Sequence, residues 1–147
     1  MVSSVPFFPD LRSDSDDKWS GYVPQRAELL NFIFTQKIPK VVFVSGDVHC
    51  SFSVELVSPN DPAFKVISVV SSSFFWPYPH MQDGDFVLKG DLDDGPTNAT
   101  AFKVANASPV YSTDNFARID VDTKGIDIAF YERKGAQLGR TVRRDFA

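Results

Sequence analysis

The sequence predicts an α/β fold, with one early helix packed on a mixed sheet and an antiparallel hairpin at the C-terminal end. Three stretches predict it. From Pro24 to about Lys37, a proline at the start and an apolar stripe of Ala27, Leu29, Leu30, Phe32, Ile33 and Phe34 predict a helix, with Arg26, Glu28 and Gln36 on the water side. After Pro39, Lys40 leads into the β-branched run Val41–Val44, which ends near Gly46 and reads as a buried strand. Near the end of the chain, FARIDVD and IDIAFYE flank the turn sequence DTKG, and Ile126, Ile128 and Phe130 alternate with less apolar neighbours as strand residues do.

The remaining elements follow in order. Residues 1–18, with two prolines and a run of serines and aspartates, have no period and read as an extended lead-in, the continuation of something. Ser53–Val57 and Lys65–Ser71 read as two strands separated by the turn-forming SPNDP. Ser71–Asp85, SSSFFWPYPHMQDGD, is too irregular for a regular element and too apolar for a solvated loop, so it is expected to lie over something. Lys89–Asn98 is acidic and turn-like, a mobile surface loop by composition. Gln137–Phe146 supplies a third antiparallel strand, although Gly139 and the arginines weaken its pattern.

At 147 residues, 43% hydrophobic and with fourteen Phe, the chain is expected to form one domain over 1–147 with a sizeable core. A net charge of −4 and a pI near 5.0 oppose capture of nucleic acid or of an anionic membrane surface, both of which need a basic patch. The densest basic stretch, Arg140–Arg144, reads as a solvated strand end. Cys50 is the only cysteine, so no disulfide forms within the chain. No apolar run approaches the roughly 18 residues needed to span a bilayer. Two N-x-[ST] triplets, Asn98–Thr100 and Asn106–Ser108, are read as chance occurrences.

The chemistry lies in VVFVSGDVHCS, Val41–Ser51. Residues two apart in a strand share a face, so Asp47 and His49 converge if the chain stays extended through Val48. They fall at the carboxyl end of a strand, where open α/β sheets bind ligands, and Gly46 permits unusual dihedrals beside them. Carboxylate oxygen with imidazole nitrogen suits Zn, Mn or Fe, yet a catalytic ion takes at least three protein ligands, so two do not complete a site. The plain alternative is a strand end at which Asp47 caps the next turn and His49 packs on a neighbour. Cys50 points the other way and reads as buried filler. His80 is either a proton donor to a leaving group or an ordinary loop histidine. Arg26 either binds phosphate through its planar fork or pairs with an acid such as Asp17. Trp19 and Tyr22 are expected to staple the helix start to the core.

Asp17, Trp19, Gly21, Tyr22, Arg26 and Gly46–His49 stand in the order and spacing of a D-x-W-x-G-Y-x-x-x-R segment followed by a strand ending in G-D-V-H. In this the chain resembles the PhoD-like (alkaline phosphatase D) branch of the calcineurin-like metallophosphatases. The resemblance implies a partial calcineurin-like sandwich in which Asp47 and His49 are the last metal ligands. It implies divalent or trivalent metal ions (Fe, Zn, Mn or Ca) as cofactors and a phosphate ester as substrate. The family's earlier ligand motifs, a G-D-x-x-D segment and a G-N-H-[DE] segment, do not occur here. The chain therefore looks like the C-terminal part of such an enzyme, expected to bind metal weakly and to hydrolyse little alone. A non-catalytic binding or dimerisation module derived from that fold is the alternative, and in either case an apolar face left by the missing half implies self-association.

Overall fold

A computed structural model describes residues 1–13, 17–92 and 102–146. Among the described residues, eight strands form two sheets, with a single α-helix, α1 (Val23–Thr35), preceded by a 3-10 turn at Trp19–Tyr22. The five-stranded sheet contains β1 (Val41–Ser45), β2 (Ser51–Ser58), β3 (Asp61–Ser71), β4 (Gly90–Asp91) and β5 (Lys103–Ala105), in the order β1-β3-β2-β5-β4. It is mixed: β1 runs parallel to β3, and all other pairs are antiparallel. The second sheet is the antiparallel meander β6 (Asn115–Val121), β7 (Gly125–Glu132) and β8 (Gln137–Asp145). The predicted third strand is thus present.

Alternation along β3 explains how the layers assemble. Val66 and Val70 join the main core with Leu30 and Ile33 of α1, Phe43 of β1 and Phe52, Val54 and Leu56 of β2. Ile67 and Val69 point the opposite way, onto Ile126, Ile128 and Phe130 of β7. A strand covered on both faces is apolar on both, which is why Val66, Ile67, Val69 and Val70 form a hydrophobic run broken only by the buried Ser68. Gly125 is required at the β6–β7 turn, since a Cβ there would sit 2.3 Å from the Arg144 carbonyl oxygen.

Three expectations are corrected. Arg26 does not face water: it is wholly buried on the inner side of α1 with Ala27, Leu30 and Ile33, whereas Phe32 of the supposed apolar stripe is exposed. The Arg140–Arg144 stretch is not simply solvated. Arg144 is buried, donates to Ser53 and lies 3.8 Å from Glu55, and burial lowers its pKa against the pull of that carboxylate. Arg143 instead stays at the surface among Asp122, Asp127 and Asp145, and its hydrogen bonds hold the Asp122 carboxyl well below the usual range. Within the supposed surface loop Lys89–Asn98, Gly90 and Asp91 pair with β5; residues 93–98 lie outside the described residues, as does the Asn98–Thr100 triplet. The extended lead-in is anchored to the core. Val2 bridges Val44 in parallel, and Phe7 and Phe8 are buried.

Among the described residues no helix is long and apolar enough to cross a membrane.

Candidate functional site

Sheet order brings the chemistry together. Because β3 lies between β1 and β2, the chain leaving β1 must cross the carboxyl end of β3 to enter β2, and Gly46–Cys50 makes that crossing. The segment leaving β3, from Ser72 onward, starts at the same end. The two segments are tied directly: Ser72 Oγ accepts from the His49 amide at 3.1 Å, and the Ser72 amide donates to Ser51 Oγ at 3.1 Å.

The crossing is not an extended strand. Asp47 has φ 73° and His49 φ 52°, both in the left-handed region, while Gly46, expected to carry the unusual dihedral, does not. The extended backbone through Val48 that convergence of Asp47 and His49 required is therefore not present. Val48 and Cys50 are buried, Asp47 is exposed and His49 half-buried. Left-handed backbone at residues other than glycine costs on the order of 1–3 kcal/mol each and persists only where surrounding structure imposes it. Here the imposing structure is the bridge over β3.

Each candidate ligand has a neighbour. Asp47 Oδ2 takes an ion pair and hydrogen bond from the Lys18 ammonium. The His49 ring stacks on Trp76 with centroids 3.6 Å apart and planes at 16°. His80 is built into the wall behind it. Its Nδ1 donates to the His49 carbonyl at 2.6 Å and lies 3.2 Å from Ser73 Oγ, and its Nε2 lies 3.6 Å from Asp114. Asp114 in turn accepts from the Trp76 amide at 2.9 Å and lies 3.7 Å from Arg133. His80 thus braces the strained loop. Beside it, Trp76, His80, Asp114, Arg133 and Lys134 line a cleft of about 440 Å³.

Of the other predicted residues, Arg26 stands apart from this cluster. Its guanidinium grips the Asp10 carboxylate with both terminal nitrogens and has no exposed surface, so contact with a substrate phosphate is not available to it in this fold. Trp19 does pin the helix start, donating to Ser3 Oγ at 3.1 Å and packing edge-on against Phe7. Tyr22 does not; it is half exposed. Cys50 is fully buried, and burial, with Asp85 and Asp83 nearby, pushes its pKa up to about 12, so it is inert filler. The chance reading of Asn106–Ser108 gains a structural role, because the Asn106 amide donates to Glu55 at 2.6 Å.

Lys18, Trp76 and Asp114 went unread in the sequence. Lys18 and Trp76 lay inside segments already singled out, while Asp114 had no local signal at all.

Among the described residues no group of three or more His, Cys, Asp or Glu side chains is placed to hold a metal ion. Asp47 and His49 supply an oxygen and a nitrogen, a donor pair suited in kind to a borderline transition ion but short in number.

The profile of the family described as PhoD-like phosphatase matches residues 7–126. Alkaline phosphatase D of Bacillus subtilis (strain 168) is 43% identical over 42 residues, which is 29% of this chain and 7% of that protein. No solved structure matches.

Proposed function

The chain belongs to the PhoD-like phosphatase family, and from that membership we propose that it is the C-terminal segment of a metal-dependent phosphoric ester hydrolase with a calcineurin-like sandwich. Gly46–His49 is then its last metal-ligand motif, with Asp47 and His49 as two ligands. One observation carries this: the strained crossing over β3 places the exposed Asp47 carboxylate and the half-buried His49 imidazole at the carboxyl end of a parallel strand pair, on a bridge that Ser72 and His80 hold. The stacking of the two sheets around β3 supports the sandwich.

A metal pair completed by further ligands would supply an activated water and hold phosphate oxygens for in-line attack. This chain's residues do the positioning. The αL backbone fixes where the two donors stand, Trp76 covers one face of the imidazole, and His80 locks the His49 carbonyl. The substrate class is a phosphomonoester or diester.

With two ligands of the three or more required, the chain alone is expected to turn over neither p-nitrophenyl phosphate nor its bis ester, with Fe, Zn, Mn or Ca added. Robust hydrolysis that His49→Ala abolishes would overturn the view that this is an incomplete part.

A further inference from the structure

The opposite end of the β1–β3 pair carries a second cleft, at the amino ends of the two strands and so roughly 15 Å from the crossing, the length of a short strand. It encloses about 320 Å³. Its apolar wall is Ile33 and Phe34 of α1, Pro39 of the α1–β1 connection and Phe64 of β3, with the Phe34 and Phe64 rings edge-on at 5.3 Å. Its charged residues are Lys37, Lys40, Lys65 and Asp61. Lys65 is engaged, donating to the Asp145 carbonyl at 3.2 Å and lying 3.8 Å from Glu55, and Asp61 Oδ1 accepts from the Ala63 amide at 2.9 Å. Among the described residues no carboxylate lies within ion-pairing distance of Lys37 or Lys40, and the Lys40 ammonium meets the Phe146 ring at 5.9 Å from its centroid. Two uncompensated ammoniums thus share one concave, apolar-walled space in a chain of net charge −4.

Backbone geometry is a second, independent observation. Lys37 and Lys40 both hold left-handed dihedrals, with φ 50° and φ 59°. At Lys37 the cause is the end of α1, where the Ile38 amide donates to the Ile33 carbonyl and the Lys37 amide to the Phe34 carbonyl, a terminus at which glycine is the least strained residue. Lysine at both positions sets two ammoniums on one cleft at a conformational cost that glycine would spare. We infer that this cleft binds a small aromatic anion, its acid group between Lys37 and Lys40 and its ring against Phe34, Phe64 and Pro39. The volume is at the lower end of small-molecule sites and suits one or two rings. The carbonyl end of a helix disfavours an anion, but these two bonds already occupy carbonyls of the last turn, and two full cations outweigh the fraction of a charge that remains. The acidic chain as a whole repels a polyanion, which leaves a small ligand as the occupant. The site is separate from Asp47 and His49 and needs no metal.

The test is isothermal titration of the full chain with 1-naphthoate, 1-naphthyl phosphate, inorganic phosphate and the neutral 1-naphthalenemethanol, for wild type, Lys37→Gly and the double variant Lys37→Met with Lys40→Met. At least one naphthyl anion is expected to bind with a Kd below about 1 mM, the tighter of the two naming the acid group. Inorganic phosphate, which lacks the ring, and the alcohol, which lacks the charge, are each expected to bind at least about fivefold more weakly. The double variant should lose at least about fivefold in affinity for the naphthyl anion. Lys37→Gly should lose at least about twofold while its thermal midpoint stays level or rises, since glycine suits the left-handed position; a lysine with a merely structural role would not divide the two readouts in this way. Both lysine side chains are exposed, so neither variant removes core packing. In amide spectra the probe is expected to shift Phe34–Lys40 and Phe64 first. Failure of both naphthyl anions to bind below that limit, equal binding of phosphate or the alcohol, undiminished binding to either variant, or shifts centred on Trp76 and Arg133 would overturn the inference.

Discussion

Arg26→Ala is expected to destabilise the fold by about 3–5 kcal/mol, the cost of breaking a buried ion pair by removing one partner. Arg26 is fully buried and forks onto Asp10, whose side chain is 14% exposed, so the substitution leaves a mostly dehydrated carboxylate without its main counter-charge and a cavity beneath α1. Against a typical total of about 5–15 kcal/mol, this brings the chain close to unfolding. Asp10→Asn is expected to act in the same direction, and a double replacement by apolar residues to recover part of the loss, because the pair costs more to break than to replace. Urea denaturation followed by circular dichroism reads all three. Were Arg26 a phosphate ligand instead, Arg26→Ala would keep the wild-type midpoint and lose only phosphate affinity.

Phe43→Ala is the second large effect, expected at about 3–5 kcal/mol. The ring stacks flat on Phe7 at 4.3 Å and meets Phe8 edge-on at 6.2 Å, so it joins β1 to the lead-in as well as to the core. Its loss should therefore have a local signature. The amides of Ser3 and Val44, which bond across from the lead-in to β1, are expected to lose hydrogen-exchange protection ahead of the β6–β8 meander. Uniform loss of protection throughout the molecule would show that the lead-in is not separately anchored there.

Those two residues also mark where the sequence was legible. Phe43 lay in a run whose β-branched neighbours and flanking Pro39 and Gly46 announced a strand, and local pattern was enough. The helix, the β2–β3 hairpin and the C-terminal meander were legible for the same reason, since period and turn chemistry act over a few residues. Arg26 was misplaced because its partner, Asp10, is sixteen residues away and a charged side chain gives no local sign that it will be buried. The left-handed angles at Asp47 and His49 were invisible for a related reason. They arise from β3 inserting between β1 and β2, a choice of strand order made by residues beyond the motif. Likewise Lys18, Trp76 and Asp114 come together around the motif only through stretches of chain distant from it in sequence. The motif named the donors; tertiary structure decided what surrounds them.

The most direct measurement is the amide spectrum of the chain during titration with substoichiometric Mn²⁺, whose paramagnetism broadens resonances nearest the bound ion. If Asp47 and His49 hold the metal, resonances of Gly46–His49 broaden first, and His49→Ala or Asp47→Asn requires at least about tenfold more Mn²⁺ for the same effect. Broadening centred elsewhere, or unchanged by either substitution, would contradict the assignment.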